Sequence, residues 1–135
     1  MSSISTQVSG DVIYRITRNR GAHVMKRGNF KLSKDPFNPT GIPSERRHSL
    51  SNKRVAAIVA DKKGGFVLKK KNTNPAVTQK PNKQIVKIPL KMNDTRGVAL
   101  SIIKNTRGMY YRADLTNALC SRASRIVNAR LGVAQ

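Results

Sequence analysis

The chain has no tryptophan, one cysteine, six acidic residues and aromatics at only 4% of 135 positions. Each shortage excludes something. Lone Cys120 leaves no internal disulfide and no cysteine-based zinc site; it suits a reducing compartment and reads as a small buried helix residue. The longest apolar run, Val55 to Ala60, falls far short of the roughly 20 residues that span a bilayer. The opening MSSISTQVSG has no basic region followed by an apolar stretch, so no signal peptide is expected. The few aromatics permit a modest core with few large anchors.

The chemistry of catalysis is equally sparse. His23 and His48 stand apart, and no His-x-x-x-His, Cys-x-x-Cys, Gly-x-x-x-x-Gly-Lys-Ser/Thr or Gly-x-Ser-x-Gly spacing occurs. The acids Asp11, Asp35, Glu45, Asp61, Asp94 and Asp114 are scattered. No catalytic residues, no metal site, no cofactor, no small-molecule substrate and no membrane partner are expected.

What is present is positive charge. Lys and Arg number 27, for a net charge of +21. Such a body repels itself, so a polyanion is expected to neutralise it and marginal stability is expected without one. The cations are spread, with eleven in residues 1–60, eight in 61–90 and eight in 91–135. A single DNA-reading helix would concentrate them; this spread suits a protein among phosphates on several sides. Thirteen are arginines, whose planar fork grips phosphate bidentately and stacks on bases.

The local patterns predict an α+β fold: a small antiparallel β-rich N-terminal body with two C-terminal helices packed on it. Residues 1–10 read as loose. Val12, Tyr14 and Ile16 alternate with Ile13, Arg15 and Thr17, predicting a strand, with Asn19-Arg20-Gly21 as turn and residues 22–27 as partner strand. Residues 28–52, rich in Pro and Gly, predict a long basic loop. Strands follow over 54–60 and 66–71 around the turn 61–65, then a polar linker over 72–84 and an extended edge segment ending at Pro89. Together residues 11–91 form the β-rich part and 92–135 the helical part of a single domain. In the first helix Val98, Ile102 and Ile103 share a side, Asp94 or Thr95 caps it and Gly108 ends it. In the last helix Asp114 suits the start and Gly132 a stop.

At roughly 100° per residue, Leu115, Leu119, Ala123, Ile126 and Val127 fall within an arc of about 120°. Arg122 and Arg125 lie on its flank, where a side chain packs its stem on protein and turns its guanidinium outward. Tyr110 and Tyr111 beside Arg112 offer stacking for an unpaired base; the plainer role is packing at the corner between the helices.

Three ordered stretches carry a resemblance: VIYRITRNRGAHVMKR over 12–27, KLSKDPFNP followed by HSLSNKRVAAI over 31–58, and YYRADLTNALCSRASRI over 110–126. Together they resemble the L-twenty-eight family of eukaryotic large-subunit ribosomal proteins, across about two thirds of the chain. Three features depart from the family pattern. Ala113 stands where the family usually has proline, the glycine expected after the serine of the middle stretch is not evident around His48-Ser49-Leu50, and the basic C-terminal tail of many members has no counterpart in LGVAQ. The resemblance implies a non-catalytic constituent of the cytosolic large subunit, assembled through the nucleolus. Its partners would be large-subunit ribosomal RNA and neighbouring ribosomal proteins. The residues expected on RNA are Arg18, Arg20, Lys26, Arg27, Arg46, Arg47, His48, Lys53, Arg54, Lys69, Lys70, Lys71, Arg107, Tyr110, Tyr111, Arg112, Arg122 and Arg125. The rival readings are a ribosome-biogenesis factor sharing the domain, a basic DNA-binding protein, and an enzyme acting on nucleic acid.

Overall fold

Alternating burial along Phe66–Lys71 marks a strand with one face on the core, and this strand is the centre of the larger sheet. The computed structural model describes residues 8–61, 65–78, 80–90 and 94–133. Strands β3 (Ala56–Ala60), β4 (Phe66–Lys71) and β5 (Ile85–Leu90) pair antiparallel in the order β3-β4-β5, with Ile58 opposite Leu68 and Leu68 opposite Ile88. Residues 62–64 of the expected turn lie outside the described residues, and Asp61 N donates to Gly65 O at 3.1 Å where its two ends meet. Pro89 sits in β5, an edge strand, where its missing N–H costs no ladder bond.

Helices α4 (Thr95–Thr106) and α5 (Thr116–Val133) cover the sheet. Ile58, Phe66 and Leu68 from the sheet meet Val98, Ile102, Leu115, Leu119 and Ala123 from the helical part in one apolar cluster, with Ile126 and Val127 packed against it. The expected stripe of α5 is therefore the core face. Ile103, expected beside Ile102, is exposed instead, and buried Thr106 takes the next core turn of α4. The Thr106 and Thr116 hydroxyls sit 2.9 Å apart, so each polar atom is satisfied inside the helix contact. Gly108 follows the end of α4, its N–H reaching Ile103 O. Gly132, expected to stop the last helix, lies within α5.

The N-terminal part departs from the expectation. Residues 12–17 are not a strand; they belong to helix α1 (Gly10–Arg20). The segment fits both periods, because Ile13, Tyr14 and Thr17 also share a helical face, and these three are half-buried while Val12 and Ile16 are exposed. Asp11 in the first turn and Arg18 and Arg20 in the last suit the helix dipole. The expected hairpin is replaced by β1 (Val24–Arg27) with β2 (Phe30–Ser33), so the predicted loop 28–52 opens with a strand. Arg27 pairs with Phe30, leaving Gly28-Asn29 as a two-residue turn, and Gly28 takes the positive φ of 54° that such a turn needs.

The rest of that loop is held by its own side chains. Buried Asp35 accepts from Phe37 N at 3.0 Å and Ser49 N at 2.8 Å, and buried Asn38 accepts from Thr40 N and Gly41 N. A 3₁₀ turn, Glu45–Arg47, follows. The predicted linker 72–84 carries two single helical turns, α2 (Pro75–Thr78) and α3 (Pro81–Gln84), each started by a proline. Residues 1–7 of the expected loose N-terminus lie outside the described residues.

Candidate nucleic-acid interface

Six acids cannot neutralise 27 cations, so the question is which cations the fold itself uses. Arg112 is the most engaged. Its Nε and Nη2 meet Asp114 at 2.9 and 3.0 Å, Nη1 donates to Arg54 O at 2.8 Å, and Nη2 donates to Arg46 O at 2.6 Å. One guanidinium thus ties the loop, the approach to β3 and the start of α5. Burial opposes ionisation of the Asp114 carboxyl, but the hydrogen bond and charge of Arg112 outweigh it and hold the group below its usual range.

Tyr111 is an anchor as well. Its hydroxyl lies 2.6 Å from Lys71 O and 3.0 Å from Val55 O, and burial pushes its phenol up against the opposing pull of these bonds. Buried Lys70 donates to Asn105 O in the last turn of α4, where a cation suits the carbonyl end of a helix, and its ammonium lies 5.3 Å from the Tyr111 ring. Burial lowers the Lys70 ammonium from its ordinary value. Arg122 donates to Asn38 O at 3.2 Å and Pro39 O at 3.3 Å, joining α5 to the loop. Arg47 donates to Thr40 Oγ1 at 2.9 Å. His48 has both ring nitrogens occupied, one by Ser51 N and one by Thr17 Oγ1, each at 3.2 Å, and its ring meets Tyr14 edge-on.

The other expected residues face outward. Arg18, Arg20, Lys26, Arg27, Arg46, Lys53, Arg54, Arg107, Tyr110 and Arg125 are exposed, and Lys69 and Lys71 half-exposed. Arg112 draws the backbones of Arg46 and Arg54 to one guanidinium, and the side chains of both, like that of Lys53, are exposed. Tyr110 is 89% exposed and holds a positive φ of 50°, as does Arg112; the anchored Tyr111 between them turns Tyr110 outward. A shallow groove between the loop and α5 is lined by Thr40, Arg122, Arg125 and Ile126.

A model of the Ribosomal L28e protein family matches residues 12–129. The chain belongs to that family. No match is found among curated proteins. Membership in the ribosomal L28e family carries a structural role in the ribosome and association with ribosomal components. No helix among the described residues is long and apolar enough to cross a membrane. Among the described residues of this L28e protein, no group of three or more His, Cys, Asp or Glu gathers to hold a metal.

The reading from sequence left out three arginines. Arg15 is exposed on α1, three residues from Arg18 and so on the same side of the helix, a spacing visible only once the segment is read as helical. Arg96 is exposed at the start of α4. Arg130 donates to Asp61 O and Gly65 O and stacks 5.0 Å from the Phe66 ring, closing the β3-β4 turn onto α5. No local signal distinguishes it from the other arginines. The acids Asp11 and Glu45, distant in sequence, meet at the start of α1; the hydrogen bond with Asp11 pushes the exposed Glu45 carboxyl up.

Proposed function

We propose that this L28e-family protein is a structural constituent of the cytosolic large ribosomal subunit, holding large-subunit ribosomal RNA through Arg and Lys contacts to phosphate. In this reading the chain acts as one ribosomal-protein domain, assembled through the nucleolus beside other large-subunit proteins. The observation that carries it is the sorting of the cations. Arg112, Arg122, Arg47, Lys70 and Arg130 are spent on backbone and side-chain acceptors inside the fold, while Arg46, Lys53, Arg54, Arg107 and Arg125 remain exposed. Phosphate neutralises such groups and releases counterions. Arg18, Arg20, Lys26 and Arg27 extend this surface over α1 and the first hairpin, and Lys69 and Lys71 over the sheet. Tyr110 offers its ring to an unpaired base. Lys70, Tyr111, Arg112 and Arg122 support the surface from below, and His48 seats α1.

Sedimentation of a tagged chain at low and high salt tests this. Stoichiometric migration with large subunits and polysomes that survives the salt wash is expected. Confinement to nuclear precursor particles would instead make it a biogenesis factor, and absence from ribosomal fractions would return duplex DNA as the polyanion.

A further inference from the structure

Between α1, the β1-β2 hairpin and the loop lies a cavity of about 140 Å³. Tyr14, Thr17, Val24, Leu50 and His48 form largely apolar walls, and no acidic residue lines it. Thr17, His48, Asn38 and Ser33 on its wall already have partners, and the Ser44 hydroxyl is a further polar group there. Thr17 Oγ1 donates to Ile13 O at 2.7 Å and meets His48; the other His48 nitrogen accepts from Ser51 N; the Asn38 amide is bonded to Ile42 O, Thr40 N and Gly41 N. Water held in a cavity needs two to four polar partners, and this one offers few. A cavity of about 150 Å³ with apolar walls accommodates one six-membered ring. The mouth has a different character, because Arg18 and His23 line the cavity and are exposed there beside Ala22 and Leu50.

Resting on the RNA-binding reading above, we propose that this cavity receives a single unpaired pyrimidine base of ribosomal RNA, with Arg18 and His23 meeting the phosphates on either side. The ring stacks against the Tyr14 and His48 surfaces, and its polar edge faces the mouth. The size selects a single ring over a purine or an extended cofactor. The exposed Arg18 guanidinium at the mouth, with no acid in the lining to meet it, selects a nucleotide over an apolar side chain of a neighbouring protein. The Arg18 side chain is free to serve, having no hydrogen bond or ion pair to the described residues.

The test is base-specific chemical modification of purified large subunits carrying the wild-type chain, Val24→Phe or Arg18→Ala. Val24→Phe fills the cavity with a ring from the protein itself. One pyrimidine protected by the wild-type chain is expected to gain about tenfold reactivity with Val24→Phe present at full stoichiometry, equivalent to about 1.4 kcal/mol of lost protection. The same nucleotide gains in part with Arg18→Ala. An unchanged modification pattern in particles that contain Val24→Phe overturns the cavity inference and leaves RNA binding intact. If Val24→Phe does not enter particles, Arg18→Ala decides, and an unchanged pattern there overturns the inference equally. A photo-cross-linker at Leu50 that joins protein rather than RNA also overturns it. Wild-type chain that never sediments with large subunits removes both readings, and that result is scored before any probing.

Discussion

Replacing Arg112 separates the cations that build the protein from those that bind. Its guanidinium is 13% exposed and makes two bonds to backbone carbonyls, Arg54 O at 2.8 Å and Arg46 O at 2.6 Å. Hydrogen bonds from a charged donor each contribute about 1.5–3 kcal/mol, and the partly exposed pair with Asp114 adds at most about 0.5 kcal/mol. These contributions are not additive, so Arg112→Ala is expected to cost about 3 kcal/mol. For a chain of this size that is a fall in Tm of about 9–15 °C. Arg112→Lys keeps the charge but loses the fork, reaches one carbonyl, and recovers less than half. Arg112→Gly loses the same bonds yet relieves the left-handed backbone at φ 50°, so it unfolds about 1 kcal/mol later than Arg112→Ala. Urea unfolding of the full-length chain at fixed salt reads all four proteins. Arg112→Ala within about 0.5 kcal/mol of wild type, or Arg112→Lys equal to wild type, would refute the structural role and return Arg112 to the RNA-facing set.

The other expectations concern its neighbours. Tyr111→Phe leaves the Val55 and Lys71 carbonyls without the hydroxyl and should cost about 1–2 kcal/mol by the same assay; an unchanged midpoint would mean the bonds contribute nothing net. Asp114 has a folded-state pKa depressed below its ordinary value of 3.8, so it stabilises above that pH and loses the contribution as pH falls through the folded value. The stability gap between wild type and Asp114→Asn should therefore be full near neutrality and shrink below pH 3.8; a gap that persists into stronger acid contradicts the ion pair. Arg46 and Arg54 donate no side-chain bond to the described residues, so the double change to alanine should leave Tm within about 3 °C while lowering the salt slope of RNA binding by about 1.5. An unaltered slope would take both off the phosphate surface.

Some of this architecture was open to sequence reading because its cause is local. The β3-β4 pair follows from two short runs rich in small and β-branched residues on either side of the turn 61–65, and the C-terminal stripe from Leu115, Leu119 and Ala123 at helical spacing. Helix α1 was not open in the same way. Val12 to Thr17 satisfies both periods, and the surface that decides between them is His48, which meets Thr17 from 31 residues away. Proline density hid the β1-β2 turn, although Gly28-Asn29 is itself a two-residue hairpin signal.

The interface shows the deeper reason. The acceptors of Arg112 are main-chain carbonyls 58 and 66 residues distant, and those of Arg122 lie 83 and 84 residues away. A carbonyl has no residue identity, so no motif announces it. Composition therefore gives the net charge of +21 that a polyanion would neutralise, but only the fold can divide its arginines. The division is also causal: Arg112 turns inward and holds the backbones that carry the exposed Arg46 and Arg54. An arginine lost from the interior set should weaken RNA binding at several contacts together, whereas loss of an exposed one removes a single phosphate. That contrast in salt slope, more than any list of basic residues, is what separates a shaped RNA-binding surface from a merely cationic one.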